Sequence, residues 1–286
     1  MTQMSLSANT MKRRSFLRLA GQTLLAGTMA STSVGRLYDS DDNRPQVEDL
    51  DEYDFVLPRV RFEEQAYRGR GKGPDVWNVR PGGDANLLRE LSRVVRCRVK
   101  PIHGTLDWQP QYGHEGQLNA VVNFDQPQRL RCYPFLFMTG ENHYEFTEVQ
   151  KKNLKEYITR GGFLLMDDCV VASGGDFFYR SSHKLLEDVF GPGAVRPVPR
   201  EHEIFHNVYN LGDTGLPWLR YKRNGSPHGL NHGAKGLFIR DRLAVFLSST
   251  DLHCGWCDRH GVEWGLQGYR KAIQMGINII MYALTH

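Results

Sequence analysis

Long apolar runs, cysteine and net charge are all scarce in this 286-residue chain. Five cysteines are too few to staple a fold of this length, so a packed core must carry its stability, and the odd count leaves at least one thiol outside any internal bridge. The formal charge is +4, but Lys12, Arg13, Arg14 and Arg18 account for all of it: residues 1–30 hold no acid, and the remainder has 32 basic and 32 acidic side chains. A neutral body has no overall field to draw phosphate backbones or anionic lipid, which argues against nucleic acid or a membrane surface as partner. The patterns G-x-x-x-x-G-K-[ST], G-x-G-x-x-G and G-x-S-x-G are absent, which removes the motif support for nucleotide binding and serine hydrolysis. No internal repeat is visible. What remains is 40% apolar and 24% charged, an ordinary globular balance.

The four early cations belong to a targeting pattern. Met11–Ala30 has a charged start, a short and moderately apolar stretch from Leu19, and small residues at Thr28 and Ala30 where signal peptidase needs them. The stretch is about half of the ~20 apolar residues that a spanning helix requires, so no permanent membrane anchor is expected. Arg13-Arg14-Ser15-Phe16-Leu17-Arg18 resembles the twin-arginine signal, by which bacteria export proteins already folded. Residues 1–30 are therefore expected to be a twin-arginine signal peptide. The export machinery would be one partner, and the destination periplasmic or secreted, where disulfides are allowed. Residues 31–53 are acid-rich and poor in apolar side chains, and are expected to form a flexible linker to a single domain over 54–286.

From Asp54 onward, short apolar runs alternate with helical periodicity. Phe55–Leu57 with Val60 and Phe62 predicts a first strand, placed at a sheet edge by Pro58. Asp84 is expected to cap a helix over 85–96, and Thr147 one reaching Arg160, with Val149, Leu154, Tyr157 and Ile158 on its apolar side. Tyr133–Met138, Phe163–Met166 and Leu243–Leu247 read as buried strands. Tyr179–Phe190 and Tyr269–Leu284 read as helices. This alternation predicts an α/β fold with a mainly parallel sheet covered on both faces, whose sites lie at the carboxyl ends of the strands. The tips are then Thr139–His143, Asp167–Val171 and Ser248–Cys257.

The same tips carry a resemblance. Tyr133–Gly140, Gly161–Asp168, His202–His206, Arg242–Val245 with Ser248–Trp256, and Gly276–Leu284 together resemble a bacterial domain family of unknown function, common in exported or membrane-tethered proteins. The resemblance implies a three-layer α/β/α sandwich, flavodoxin-like and similar to class I glutamine amidotransferases. It implies no reaction.

Several short motifs have both a chemical and a plain reading. His202-Glu203-Ile204-Phe205-His206 satisfies H-E-x-x-H, but Pro197 and Pro199 make the preceding chain extended and no third ligand follows in zincin style. A loop histidine beside the sheet, with Ile204 and Phe205 in the core, is the expected form. Cys254-Gly-Trp-Cys257, flanked by His253 and His260, is expected in a glycine-rich loop. Structural thiols, a functional disulfide and a zinc clip of His253, Cys254, Cys257 and His260 all remain open. Cys169 follows a strand where amidotransferase-like folds place a nucleophile. However, the adjacent carboxylates raise its pKa and Val170-Val171 resist the sharp turn. Asp167 and Asp168 should point to opposite faces, either as helix caps or as groups for a metal, a sugar hydroxyl or a proton.

The functional expectation is an exported α/β domain that binds a small molecule or a protein at its strand tips without amidotransferase chemistry. The alternative is a periplasmic hydrolase of a carbohydrate or amide. Its acid–base set would be Asp168, His202 and Asp251, and a metal such as zinc could assist. No cofactor is expected beyond that zinc.

Overall fold

The computed structural model describes residues 47–65, 76–102, 118–170 and 175–286. The expected signal, most of the acidic linker and Val171 lie outside these residues. In chain order the helices are α1 (Val47–Glu52), α2 (Gly82–Val94), α3 (Pro127–Leu130), α4 (Glu148–Thr159), α5 (Phe177–Phe190), α6 (Leu252–Cys257) and α7 (Gly265–Thr285). The strands are β1 (Pro58–Val60), β2 (Ala120–Val122), β3 (Phe135–Gly140), β4 (Phe163–Asp168), β5 (Val195–Pro197), β6 (Lys235–Ile239) and β7 (Arg242–Ser248). They form one seven-stranded sheet in the order β2-β1-β3-β4-β7-β6-β5. The pairs from β2 to β7 are parallel, and β6 runs antiparallel to both of its neighbours.

Side-chain alternation divides the core by sheet face. Phe135, Phe137, Phe163 and Leu165 pack in one cluster with Leu87, Leu88 and Leu91 of α2, Trp256 of α6 and Ile277 of α7. Leu136, Met138, Leu164 and Met166 pack in the other with Leu154 and Ile158 of α4 and Phe178 and Leu186 of α5. Helices thus cover both faces, which is why these strands are apolar along their whole length rather than alternating.

The central strands and long helices lie where their periodicity predicts, and Thr147 does cap α4. Its side chain accepts from Gln150 N while the Gln150 side chain accepts from Thr147 N. Three local expectations fail. β1 is an interior strand, flanked by β2 and β3. Pro58 is its first residue, a position where the missing N–H is tolerated. Asp84 caps nothing, because it lies inside α2 and pairs with Arg59. Val149 is 61% exposed rather than on the apolar side of α4. In addition, Leu50 and Tyr53, at the end of the expected linker, pack against the core.

Candidate functional site

Parallel pairing sets Asp167 opposite Ser248, so the ends of β4 and β7 open side by side. Beyond Ser248 the chain turns sharply into α6 through Asp251, which takes a left-handed conformation at φ 56° and ψ 54°. Asp tolerates that region better than most residues, because its short carboxylate can bond locally. Here Asp251 Oδ1 accepts from Cys254 N at 3.0 Å. The next two amides of the turn go to Asp167, with Leu252 N on Oδ1 at 3.2 Å and His253 N on Oδ2 at 2.9 Å. Two carboxylates therefore satisfy the otherwise orphaned N–H groups that begin α6.

Asp168 points the other way, as strand alternation requires. Its Oδ2 accepts from Tyr179 N at 2.8 Å, in the first turn of α5. Its Oδ1 is buried and has no hydrogen-bond partner among the described residues. Both aspartates do bond amides at helix starts: Asp168 at α5, the next element along the chain, and Asp167 at α6, remote in sequence. Burial, aided by the neighbouring Asp251 charge, pushes the Asp167 carboxyl up to about 7. Burial also holds Asp168 well above the ordinary carboxylate range.

Asp251 moves in the opposite direction. Burial alone would raise it, but the hydrogen bond and charge of His228 hold it below its ordinary value. His228 Nε2 lies 2.8 Å from Asp251 Oδ2, which also accepts from Val170 N at 3.1 Å. An ionised carboxylate only accepts, so Nε2 carries the proton and Nδ1 of a neutral ring is free to accept. It meets the Tyr221 hydroxyl at 3.0 Å. Trp264 packs on both rings with centroids 4.5 Å away. The result is a line from the surface inward: Tyr221, His228, Asp251.

The thiols lie behind this line. Cys169 Sγ is 3.9 Å from Cys254 Sγ. Cys169, Cys254 and Asp251 are the one group of metal-type ligands that converges among the described residues, with ligand atoms within 4.8 Å of one another. The Arg80 guanidinium stands beside Cys254, Cys169, Cys257 and Asp251 and keeps its charge there. Cys169 is kept protonated by its hydrogen bond to Cys254 and by burial, and Cys257 by burial. Neutral buried thiols are poor nucleophiles, so cysteine catalysis gains no support.

These positions correct several site expectations. His202 accepts from Ile204 N and packs on Phe238 and Tyr282. Tyr282 in turn accepts from Leu243 N, at the amino end of β7. Strands rise roughly 3.3 Å per residue, so the length of β7 puts His202 about 20 Å from the Asp251 end. It cannot share a crevice with Asp168 or Asp251, and His228 stands beside Asp251 instead. Cys254-Gly-Trp-Cys257 is helical rather than a loop, because Asp167 and Asp251 cap it. The zinc clip of His253, Cys254, Cys257 and His260, one of the three readings left open, does not assemble among the described residues. His253 is held by Arg59 at 2.8 Å with Asp84 at 3.4 Å, His260 is exposed, and Cys257 Sγ donates to His253 O at 3.3 Å. The H-E-x-x-H segment forms a 3-10 turn with Ile204 and Phe205 in the core, and His206 bonds Arg200 O and Asn210.

A family model described as "Domain of unknown function (DUF4159)" matches residues 60–284. The chain belongs to this family. No curated protein matches it. The DUF4159 region runs from the end of β1 to the end of α7 and so contains every strand tip described above. It agrees with the resemblance to a family without an assigned reaction, and leaves the site to be judged by its own chemistry.

Sequence reasoning found Asp168 and Asp251 through the strand-tip rule, but it missed His228 and Arg80. His228 sits in Ser226-Pro227-His228-Gly229, a loop whose spacing to Asp251 forms no motif. The only signal was an isolated His between Pro and Gly. The described cavity of about 300 Å³ lies elsewhere, between α3 and α4 near Tyr133 and Gly162, at the amino ends of the strands. It holds none of these groups. Among the described residues no helix is long and apolar enough to cross a membrane.

Proposed function

We propose that this DUF4159 chain is an exported, flavodoxin-like α/β/α domain that binds a hydroxyl-rich small molecule at the carboxyl ends of its strands, without amidotransferase chemistry. The observation that carries the reading is Asp168: a fully buried carboxyl at a strand tip with Oδ1 unpaired among the described residues. Leaving a buried polar group unmet costs about 1–3 kcal/mol, which a ligand hydroxyl offsets when it bonds there. Nearby, His232 stacks on the ring of Tyr179, whose amide bonds Asp168, at 4.5 Å and is held by Asp176 at 2.7 Å, which gives the same strand tip a flat, partly exposed ring. Carboxyl and aromatic groups together suit a saccharide better than an anion. The test is a thermal-shift series with mono- and oligosaccharides on the wild type and on Asp168→Leu. Stabilisation of the wild type that is lost in the variant is expected; equal shifts in both proteins, or none, reject the reading.

A hydrolytic reading has its own observation. Two carboxyl groups at neighbouring strand tips are pushed in opposite directions, Asp168 towards the acid form and Asp251, on His228, towards the anion. Such divergence is how an active site separates its acid from its base. In this scheme Asp168 protonates the leaving group of a glycoside or amide, while His228, oriented by Asp251, takes the proton from water. Hydrolysis of a chromogenic glycoside or amide, with a bell-shaped pH profile whose acid limb is lost in His228→Asn, is the expected result. Activity unaffected by Asp168→Asn and His228→Asn would reject it.

A further inference from the structure

We infer that Cys169, Cys254 and Asp251 form a zinc-binding site at the junction of β4 and α6. The topology itself brings them together: Cys169 is the first residue after β4, Asp251 is the turn residue after the neighbouring β7, and Cys254 stands three residues later on α6. Zinc–thiolate bonds of about 2.3 Å in a tetrahedron put the two sulfurs about 3.8 Å apart. The observed Sγ–Sγ separation is 3.9 Å, and a carboxylate oxygen of Asp251 lies within 4.8 Å of both. A disulfide would require the same sulfurs to close to about 2.05 Å. Two thiolates with one carboxylate select zinc over magnesium or calcium, which prefer all-oxygen sets.

Charge and support around the site agree with this. Zn²⁺ with two thiolates and one carboxylate carries a net charge of −1, and the Arg80 guanidinium stands beside the same three side chains. Asp251 is fixed from behind by His228 and Val170 N, and the Cys169 amide by Gly140 O at 2.9 Å. Bonds of that kind orient metal ligands. Binding is a simple exchange: each thiol gives up its proton as its sulfur bonds zinc, so two protons leave per metal ion and no oxidant is involved. Three protein ligands leave the fourth tetrahedral position to water. The site stands whether or not the crevice binds a saccharide.

The test uses the full chain, reduced and stripped of metal, titrated with Co²⁺ as a spectroscopic probe and then with Zn²⁺. A sulfur-to-cobalt band with tetrahedral visible absorption should saturate at one Co²⁺ per chain and disappear as Zn²⁺ displaces it. Cys169→Ser and Cys254→Ser should each weaken binding by about 100-fold or more, Cys257→Ser should leave it unchanged, and His228→Gln should weaken it about 10- to 100-fold. Should the serine variants fail to fold, zinc-edge X-ray absorption of the wild type reads the same question, with two sulfur scatterers expected. A reduced wild type without a saturable cobalt spectrum would overturn the inference. So would a band that survives Cys169→Ser in a folded variant, or a non-reduced wild type with Cys169 and Cys254 joined as a disulfide.

Discussion

Arg59 is heavily bonded for a core side chain. It is fully buried, yet its guanidinium meets both oxygens of Asp84 at 2.8 and 2.9 Å, the carbonyls of Trp77 and Val79, and His253 Nε2. It also lies 4.7 Å above the Phe137 ring. Breaking a buried pair by removing one partner leaves an uncompensated charge, so Arg59→Met should cost roughly 3–5 kcal/mol, read as a lower denaturation midpoint. Arg59→Met with Asp84→Leu should recover much of that loss; a double variant as unstable as the single one would show that the pair is not what matters. Asp168 provides a second test, through pH. Its folded-state pKa is raised by burial, so the unfolded chain ionises first and wild-type stability falls as pH rises past the ordinary carboxylate value. Asp168→Asn keeps an acceptor for Tyr179 N and cannot ionise. It should therefore gain on the wild type at pH 7.5 relative to pH 4, measured by urea unfolding at both. An unchanged difference between the two pH values would mean that the charged form of Asp168 is not strained. Asp168 and Asp251 were legible in the sequence because acids directly after apolar runs are poor core material. Arg59, flanked by Pro58 and Val60, was not legible, since nothing local reveals that Asp84 waits opposite it.

At the scale of elements, β3, β4, β7, α4, α5 and α7 were legible because each carries its own period and its own stop signal. β1 was misplaced because Pro58 reads as an edge residue when it is only the first residue of an interior strand, and β2 gave no clear signal at three residues. α6 was missed because its six residues hold Gly255, and its stability comes from Asp167 on another strand. No local rule sees that carboxylate. α4 offers a clean check of the capping account. Thr147→Ala removes the bond to Gln150 N and should cost about 0.5–2 kcal/mol. Val149→Ala, in the same turn but exposed to solvent, should stay within about 0.5 kcal/mol of the wild type. If the Val149 variant were the more damaging of the two by thermal or urea unfolding, the apolar-face reading of the sequence would be right and the exposed position wrong.

At the scale of the whole molecule, the charge distribution and the core pose one question together. All the net positive charge lies in residues 1–30, ahead of a body with balanced charge. If that segment is a twin-arginine signal, Arg13→Lys with Arg14→Lys should leave the precursor in the cytoplasm, and an unchanged periplasmic yield would reject the route. The route also makes the fold itself a condition of export, because it carries proteins that have already folded. Domain stability is typically only 5–15 kcal/mol, so removing the Arg59–Asp84 pairing takes away a large share of it. On that condition, Arg59→Met should lower the exported fraction of protein that carries residues 1–30. The same variant behind a signal that threads unfolded chains should cross as well as the wild type does. Cell fractionation of the four combinations separates the cases: a loss confined to the native signal ties export to the buried ion pair, and equal loss behind both signals would mean that the variant is degraded before translocation rather than refused by it.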